Sequence, residues 1–386
     1  MSSQETIHKG FNRLFACAAA GIFAATTAVV WSPQTAQAED APAAGRIAQR
    51  ETFDLELETG RTEVVRHADA AFVKVHFDGV VLGPDDELVV ASPDRREVHR
   101  YGADDVASGE LWALSIEGEA AEVVLRDAAD GTEAAARIAD YSRGLNASEM
   151  DAQPEPATES LCGRDDSQNA ICYKEIDPQA YDASKSVARL IINGEYYCTA
   201  WLVQGGNRLL TNNHCFSTGA EAKVTEVQFR YECRECNGTE TRRPVKVSGD
   251  RVLATDYTYD FTLFTVADYD RVDHLPHLQI DTSQASRGDK LFIAGHPGGR
   301  PLRIAAASSS EPAATAGQCQ VHDPAFNGRG RATDVSYLCD TEGGSSGSPV
   351  ISRKTGKVVG LHHLGGCPNS GVRMDLVYPR IAQYLP

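Results

Sequence analysis

An all-β protein in two parts is expected from three features of the sequence. Apolar residues recur in short runs, several alternating with period two. Clusters of Gly, Pro and Asp interrupt those runs at close intervals. Nine of the ten cysteines fall between Cys162 and Cys367, in a Gly-rich stretch of further short β-runs. At about 100–200 residues per domain, 386 residues suggest two domains, or two with an appendage. Hydrophobic residues make up 42% and charged residues 24%, enough apolar material for a packed core. The formal net charge of -17 argues against nucleic acid as a partner, because binding a polyanion needs a basic face.

Residues 1–38 read as a secretory signal. Lys9 and Arg13 supply the positive start, an apolar run follows from Leu14 to Trp31, and Ala36-Gln37-Ala38 is a small-x-small cleavage site ahead of Glu39-Asp40. An N-terminal membrane anchor is the alternative; the cleavage site favours export, with no membrane partner after cleavage and a secreted, extracellular or periplasmic location. In such an oxidising compartment, clustered cysteines read as disulfides, and nine of them leave at least one unpaired.

Residues 39–145 are expected to form a small β-sandwich or jelly roll. Phe72-Val73-Lys74-Val75-His76-Phe77 alternates cleanly, and residues 87–91, 98–101, 111–116 and 121–125 are further strand candidates. Gly83-Pro84-Asp85, Pro93-Asp94 and Gly118 mark turns. Residues 128–141 are compatible with a helix. Residues 146–160, with MDAQPEPATES at their end, form a linker extended by prolines. Asn146-Ala147-Ser148 matches a glycosylation sequon by pattern. The segment 161–386 has room for two small barrels.

Three motifs in that segment carry chemistry. In Gly343-Gly344-Ser345-Ser346-Gly347-Ser348-Pro349-Val350, glycines flank a serine, letting the backbone turn tightly and exposing its hydroxyl. Serine is a weak nucleophile unless a base stands beside it and donors await the oxyanion; the N–H groups of Gly344 and Ser346 are candidates for those donors. A Gly/Ser octet is by itself often a flexible loop, but the β-runs that follow, Pro349-Val350-Ile351 and Lys357-Val358-Val359-Gly360-Leu361, give it hairpin context. The second motif, Leu209-Leu210-Thr211-Asn212-Asn213-His214-Cys215, ends an apolar strand on a histidine followed by a cysteine; a Cys198–Cys215 disulfide would pin the loop that carries the imidazole. In the third, Asp260-Phe261-Thr262-Leu263-Phe264, a carboxylate enters an apolar run and is costly there unless partnered. Its expected partner is the Nδ1–H of His214. Capping a turn after Thr258-Tyr259 is the plainer role for it, and Asp250 and Asp256 are competitors.

With the order His–Asp–Ser, these motifs resemble the trypsin-like (chymotrypsin-fold) serine peptidases, and among them the bacterial glutamyl and lysyl endopeptidases. The resemblance covers about residues 162–385. It rests on Gly344-Ser345-Ser346-Gly347-Ser348-Pro349, on Thr211-Asn212-Asn213-His214-Cys215 with Asn212 where the family has Ala, on Asp260-Phe261-Thr262-Leu263, and on Gly295-His296-Pro297. It implies two six-stranded antiparallel barrels, with the sandwich in front of them. It also implies a secreted serine endopeptidase working through an acyl-enzyme on protein or peptide substrates, with His214, Asp260 and Ser346 as triad and no cofactor or metal. It pairs Cys162 with Cys367, and Cys172 with Cys233 or Cys236; Cys319–Cys339 is assigned to the remainder. Ser345 stands where trypsin has the aspartate that captures a new N-terminus. Activation is therefore expected through removal or displacement of the N-terminal segment, acting as an intramolecular inhibitor; a permanent accessory module that binds carbohydrate or a surface is the alternative for that segment.

The resemblance also bears on P1, the substrate residue before the scissile bond. Asp340 and Asp375 lie where trypsin and lysyl endopeptidases carry specificity acids and point to Lys or Arg. His362 resembles the histidine of glutamyl endopeptidases and points to Glu. Asp340 has the alternative role of satisfying local backbone donors, and a small or apolar P1 is the remaining alternative. Cys233-Arg234-Glu235-Cys236 lacks a second ligand pair for zinc, and His362 and His363, adjacent on a strand, face opposite sides. The competing reading is a catalytically silent binding or adhesion protein on the same fold.

Overall fold

The computed structural model describes residues 45–128, 133–153 and 160–385. The expected signal segment lies outside them. Residues from Asp40 onward cluster as one compact unit. Among the described residues, no helix is long and apolar enough to cross a membrane.

Nine strands precede the cysteine-rich segment: β1 (Ala48–Glu56), β2 (Thr62–Arg66), β3 (Phe72–Val81), β4 (Glu87–Ala91), β5 (Val98–Tyr101), β6 (Leu111–Trp112), β7 (Ile116–Glu117), β8 (Ala120–Arg126) and β9 (Ala135–Gly144). They form two antiparallel sheets, β1-β9-β3-β6 with β7 also paired to β3, and β2-β8-β4-β5. Both sheets face one core that includes Val73, Val75 and Phe77 from β3, Leu88 and Val90 from β4, Val123 and Leu125 from β8, and Ile138 from β9. Of the helix expected over residues 128–141, the part from Ala135 onward is strand instead: β9 runs there, between β1 and β3, and residues 129–132 lie outside the described residues. Ala136 and Ile138 of β9 are buried, while Arg137 ion-pairs with Asp54 and Asp78, and Asp140 with Arg50 and His76. Cross-strand packing and charge pairing override the helix propensity of alanine. In the expected linker, Ala147–Asp151 is a helix whose N-cap, Asn146, accepts from the Glu149 N–H.

Further on, β11 (Val187–Ile192), β12 (Tyr196–Leu202), β13 (Leu209–Thr211), β14 (Glu226–Phe229), β15 (Val245–Asp256) and β16 (Phe261–Val266) close a barrel in the order β11-β12-β13-β16-β15-β14. The other sheet has eight strands, ordered β10 (Gln168–Asn169), β18 (Arg303–Ala305), β17 (Leu291–Gly295), β21 (Pro349–Ser352), β22 (Val358–Leu364), β23 (Asn369–Arg373), β20 (Asp334–Tyr337) and β19 (Val321–Phe326). A second six-stranded barrel was the expectation. The observed ladder has eight strands, and the bridges Lys290–Gln320 and Ala307–Gln318, with the Leu291 N–H donating to the Cys319 carbonyl and the Val321 N–H to the Asp289 carbonyl (both 2.9 Å), join its β19 end back to β17 and β18.

Period-two alternation gives each barrel strand two destinations. Leu190, Leu202, Leu209 and Phe264 fill the barrel. Val187, Trp201, Leu210 and Leu263 point the other way and pack with Phe292, Ile304, Ile351, Leu361 and Val372 of the eight-stranded sheet. A further outward patch meets the N-terminal strands. Glu226 accepts from Lys74 Nζ (3.0 Å), Ser115 N (2.8 Å) and Ser115 Oγ (2.7 Å), and Lys246 Nζ donates to Glu97 (2.7 Å) and to the Ser115 carbonyl (2.8 Å). Ile47, Ala48 and Phe72 pack beside this network on Ile191 and Tyr197.

Candidate active site

Strand β12 anchors two of the three motifs. Its Cys198 is disulfide-bonded to Cys215, fixing the turn that carries His214. The next residue, Thr199, holds the serine loop: its N–H donates to the Ser346 carbonyl (2.8 Å) and its Oγ1 to the Gly344 carbonyl (2.8 Å). Thr211, at the end of β13, donates its hydroxyl to the Thr199 carbonyl (2.8 Å). The loop turns through positive φ at Gly344 (92°) and Gly347 (88°). A Cβ would run into the Tyr197 ring at Gly344, and into the Thr199 carbonyl at Gly347. Ser345, where an acid was noted as missing, closes the turn instead: its N–H donates to the Glu342 carbonyl (2.9 Å) and its Oγ accepts from the Glu342 N–H (3.2 Å).

Asp260 is fully buried, with φ 40° at the mouth of β16. Its Oδ2 lies 2.8 Å from His214 Nδ1, and its Oδ1 accepts from the His214 N–H at 3.0 Å. The Asn212 side chain donates to the Asp260 carbonyl (2.8 Å). The departure from Ala at that position therefore has a use: it ties the histidine turn to the strained aspartate. Burial alone would raise the pKa of Asp260, but the charge and hydrogen bond of His214, then those of His363, hold it well below the usual carboxylate range. Two groups the sequence reading did not place here also reach this carboxylate, His363 (Nδ1 to Oδ2, 3.0 Å) and Arg329 (Nη1 to Oδ1, 3.2 Å). Adjacent histidines on a strand were the available signal for His363; Arg329 lies in a loop with no motif.

The three residues considered for P1 recognition are already engaged, each separately. Asp340 accepts from the backbone N–H groups of Cys162 and Asp166 (both 2.9 Å), and burial pushes its pKa up to about 6. Asp375 is gripped by both ends of the Arg373 guanidinium (3.1 and 2.6 Å), in the first turn of the helix Met374–Ile381. His362 is buried with Nδ1 2.7 Å from the Tyr337 hydroxyl, and burial, then the nearby His363 and His214, push its pKa down to about 3. It is neutral at neutral pH.

Disulfides join Cys162–Cys367, Cys172–Cys236 and Cys198–Cys215. Cys319 and Cys339, assigned to each other from the sequence, are two buried thiols, as is Cys233, so three of the described cysteines are unpaired. Cys198, His214 and Cys215 have metal-ligand proximity, but both sulfurs are spent in a disulfide and are poor ligands.

Residues 198–361 match the family described as the trypsin-like peptidase domain. That segment is thus similar to trypsin-like peptidase domains. A glutamyl endopeptidase of Staphylococcus epidermidis is 24% identical over 194 residues, covering 49% of this chain and 61% of that protein. The secreted RxLR effector protein 73 of Plasmopara viticola is 34% identical over 226 residues, covering 55% of this chain and 53% of the effector. The chain thus spans just over half the length of these curated relatives. A solved Glu endopeptidase structure aligns with 58% of this chain and 98% of its own at 19% identity, with a TM-score of 0.42.

Proposed function

We propose that the peptidase domain is a serine endopeptidase whose nucleophile is Ser346, with His214 as general base and Asp260 orienting it. The observation that carries this reading is the doubly bonded Asp260–His214 pair, joined through Cys215, Cys198 and Thr199 to the loop of Ser346. In this mechanism His214 Nε2 takes the Ser346 hydroxyl proton as Oγ bonds to the substrate carbonyl carbon. The carbonyl oxygen becomes an oxyanion facing the N–H groups of Gly344 and Ser346. Collapse breaks the C–N bond, the leaving amine takes the proton from His214, and the acyl-enzyme remains. Water repeats the sequence and releases the acid. Asp260 keeps His214 Nδ1 protonated and stabilises the imidazolium that forms.

P1 is not selected by charge in this reading. The Lys or Arg preference rested on Asp340 and Asp375, whose oxygens are taken by backbone donors and by Arg373. The Glu preference rested on His362, which carries no charge at neutral pH. An uncharged P1 side chain leaves no unpaired charge in the pocket. A peptide library is expected to enrich uncharged residues at P1; enrichment of Lys, Arg or Glu refutes this part.

The N-terminal strands act as a retained module, not a discarded inhibitor. Their interface buries Lys74, Glu97, Glu226 and Lys246, and releasing it would expose or strand those charges. Three disulfides fit export from the cytosol, and one relative is named a secreted effector. A serine-directed phosphonylating probe is expected to label Ser346 of the full chain, and Ser346→Ala to abolish both labelling and peptide hydrolysis. Unchanged hydrolysis by Ser346→Ala would leave the silent-scaffold reading standing.

A further inference from the structure

Behind Asp260 lies a second histidine–carboxylate pair. His363, on β22, is completely buried; its Nδ1 is 3.0 Å from Asp260 Oδ2 and its Nε2 is 2.7 Å from Asp334 Oδ2. Asp334, on β20, is buried as well and is itself held by the hydroxyls of Ser370 (2.6 Å) and Thr333 (2.8 Å). A ring with carboxylate oxygens at both nitrogens can donate to both only when both nitrogens carry protons. His363 is therefore an imidazolium, a positive charge on the same Asp260 oxygen that faces the His214 ring. Burial opposes that charge, but the hydrogen bonds and charges of Asp260 and Asp334 outweigh it and lift the pKa to about 9.

We propose that His363 and Asp334 are positioning residues of the catalytic site: the imidazolium, clamped between two carboxylates, locks the rotation of Asp260 and sets the pH above which His214 can act as base. The proposal rests on the reading of His214, Asp260 and Ser346 given above. Asp260 Oδ2 is shared by His214 Nδ1 and His363 Nδ1, so the two rings' nitrogens are no more than about 6 Å apart. The negative charge of Asp260 attracts a positive charge on the His214 ring. The charge on His363 offsets part of that attraction, with Arg329 at Asp260 Oδ1 acting in the same sense. The charged and titratable groups facing His363 are Asp260, with His214 and Arg329 behind it, Asp334, and the neighbouring His362, which stays neutral.

The test is the pH profile of kcat/KM for the full chain, its His363→Gln variant and its Asp334→Asn variant, with thermal unfolding to show that each is folded. His363→Gln keeps a donor for Asp260 but removes the charge. Protonation of His214 then becomes easier, and the acid limb is expected to move up by about one to two pH units. Asp334→Asn removes the carboxylate that keeps His363 charged and is expected to move the limb up by a smaller amount, so it carries the test if the histidine variant does not fold. A purely structural histidine would lower the plateau and leave the limb in place. An acid limb within about 0.2 units of wild type in either folded variant overturns the proposal. Ser346→Ala separates the two levels: if it abolishes hydrolysis while His363→Gln leaves the limb unmoved, only the positioning role fails.

Discussion

Glu226→Gln tests whether the N-terminal strands are a permanent part of the enzyme. Glu226 is fully buried and accepts from Lys74 Nζ, from the N–H and hydroxyl of Ser115, and from the Gln228 side chain (2.6 Å). Two of these donors, Lys74 and Ser115, belong to the N-terminal strands. The glutamine keeps the shape and loses the charge, so the buried Lys74 loses its counter-charge and is left with the Ala113 carbonyl (2.7 Å) and a neutral amide. Its new amide hydrogens also face the donors of Ser115 or Gln228. Removing one partner of a buried ion pair costs about 3–5 kcal/mol. We expect a loss of that size in urea unfolding of the full chain, and separation of the two parts after nicking within residues 154–159. The sign with pH follows from the same contacts. Burial raises the pKa of Glu226, but Lys74 and Lys246 outweigh it and hold it below its ordinary 4.5, so its contribution is present above that pH and is lost as pH falls. Wild type should therefore lose stability on acidification more steeply than the variant. A loss below about 1 kcal/mol, with the same acid sensitivity, refutes the argument that this network holds the interface.

Gly344→Ala and Gly347→Ala each force a Cβ into a neighbour at positive φ, so both should lose peptidase activity by at least about 100-fold in a peptide assay while remaining folded by circular dichroism. Asn212→Ala removes the donor to the Asp260 carbonyl and should cost about 1–3 kcal/mol in thermal unfolding together with part of kcat. Cys198→Ser with Cys215→Ser opens a loop of sequence separation 17, costs about 3 kcal/mol in denaturant titration and loosens both catalytic loops. Asp340, with its pKa raised to about 6, binds a proton more tightly folded than unfolded, so it makes stability fall as pH rises from about 4 to 6; in Asp340→Asn that segment of the pH–stability curve should flatten.

The three motifs proposed as catalytic were legible because each demands particular residue types in immediate sequence: glycines at positive φ around Ser346, a cysteine beside His214, an acid at the mouth of an apolar strand. Five strand candidates of the N-terminal part were legible for a similar reason, since turn residues bound them. Strand β9 was not. Its alanines favour a helix locally, and what makes it a strand is the ladder on both sides and the arginine and aspartate partners that β1 and β3 supply. The use of Asp340 was hidden for the same cause. It is set by the backbone of Cys162 and Asp166, about 175 residues earlier, which no local pattern near Asp340 announces. His363 was seen but set aside, because adjacency on a strand excludes a shared metal without excluding separate partners across the sheet.

The arrangement around Asp260 explains why these particular long-range contacts are needed. A carboxylate at zero exposure is costly unless its acceptor sites are filled. Here Oδ1 takes the His214 N–H and the Arg329 guanidinium, and Oδ2 takes the rings of His214 and His363. Two cations that share the carboxylate oxygens with His214 reduce the field on its ring without loosening the 2.8 Å bond that orients it. Orientation and basicity are thus controlled by different residues, and the sheet carries the cost. Asp334 must be buried to keep His363 charged, and Ser370 and Thr333 must be spent to satisfy Asp334. On this account β20, β22 and β23 of the eight-stranded sheet deliver Asp334, His363 and Ser370 to the aspartate that the six-stranded barrel presents.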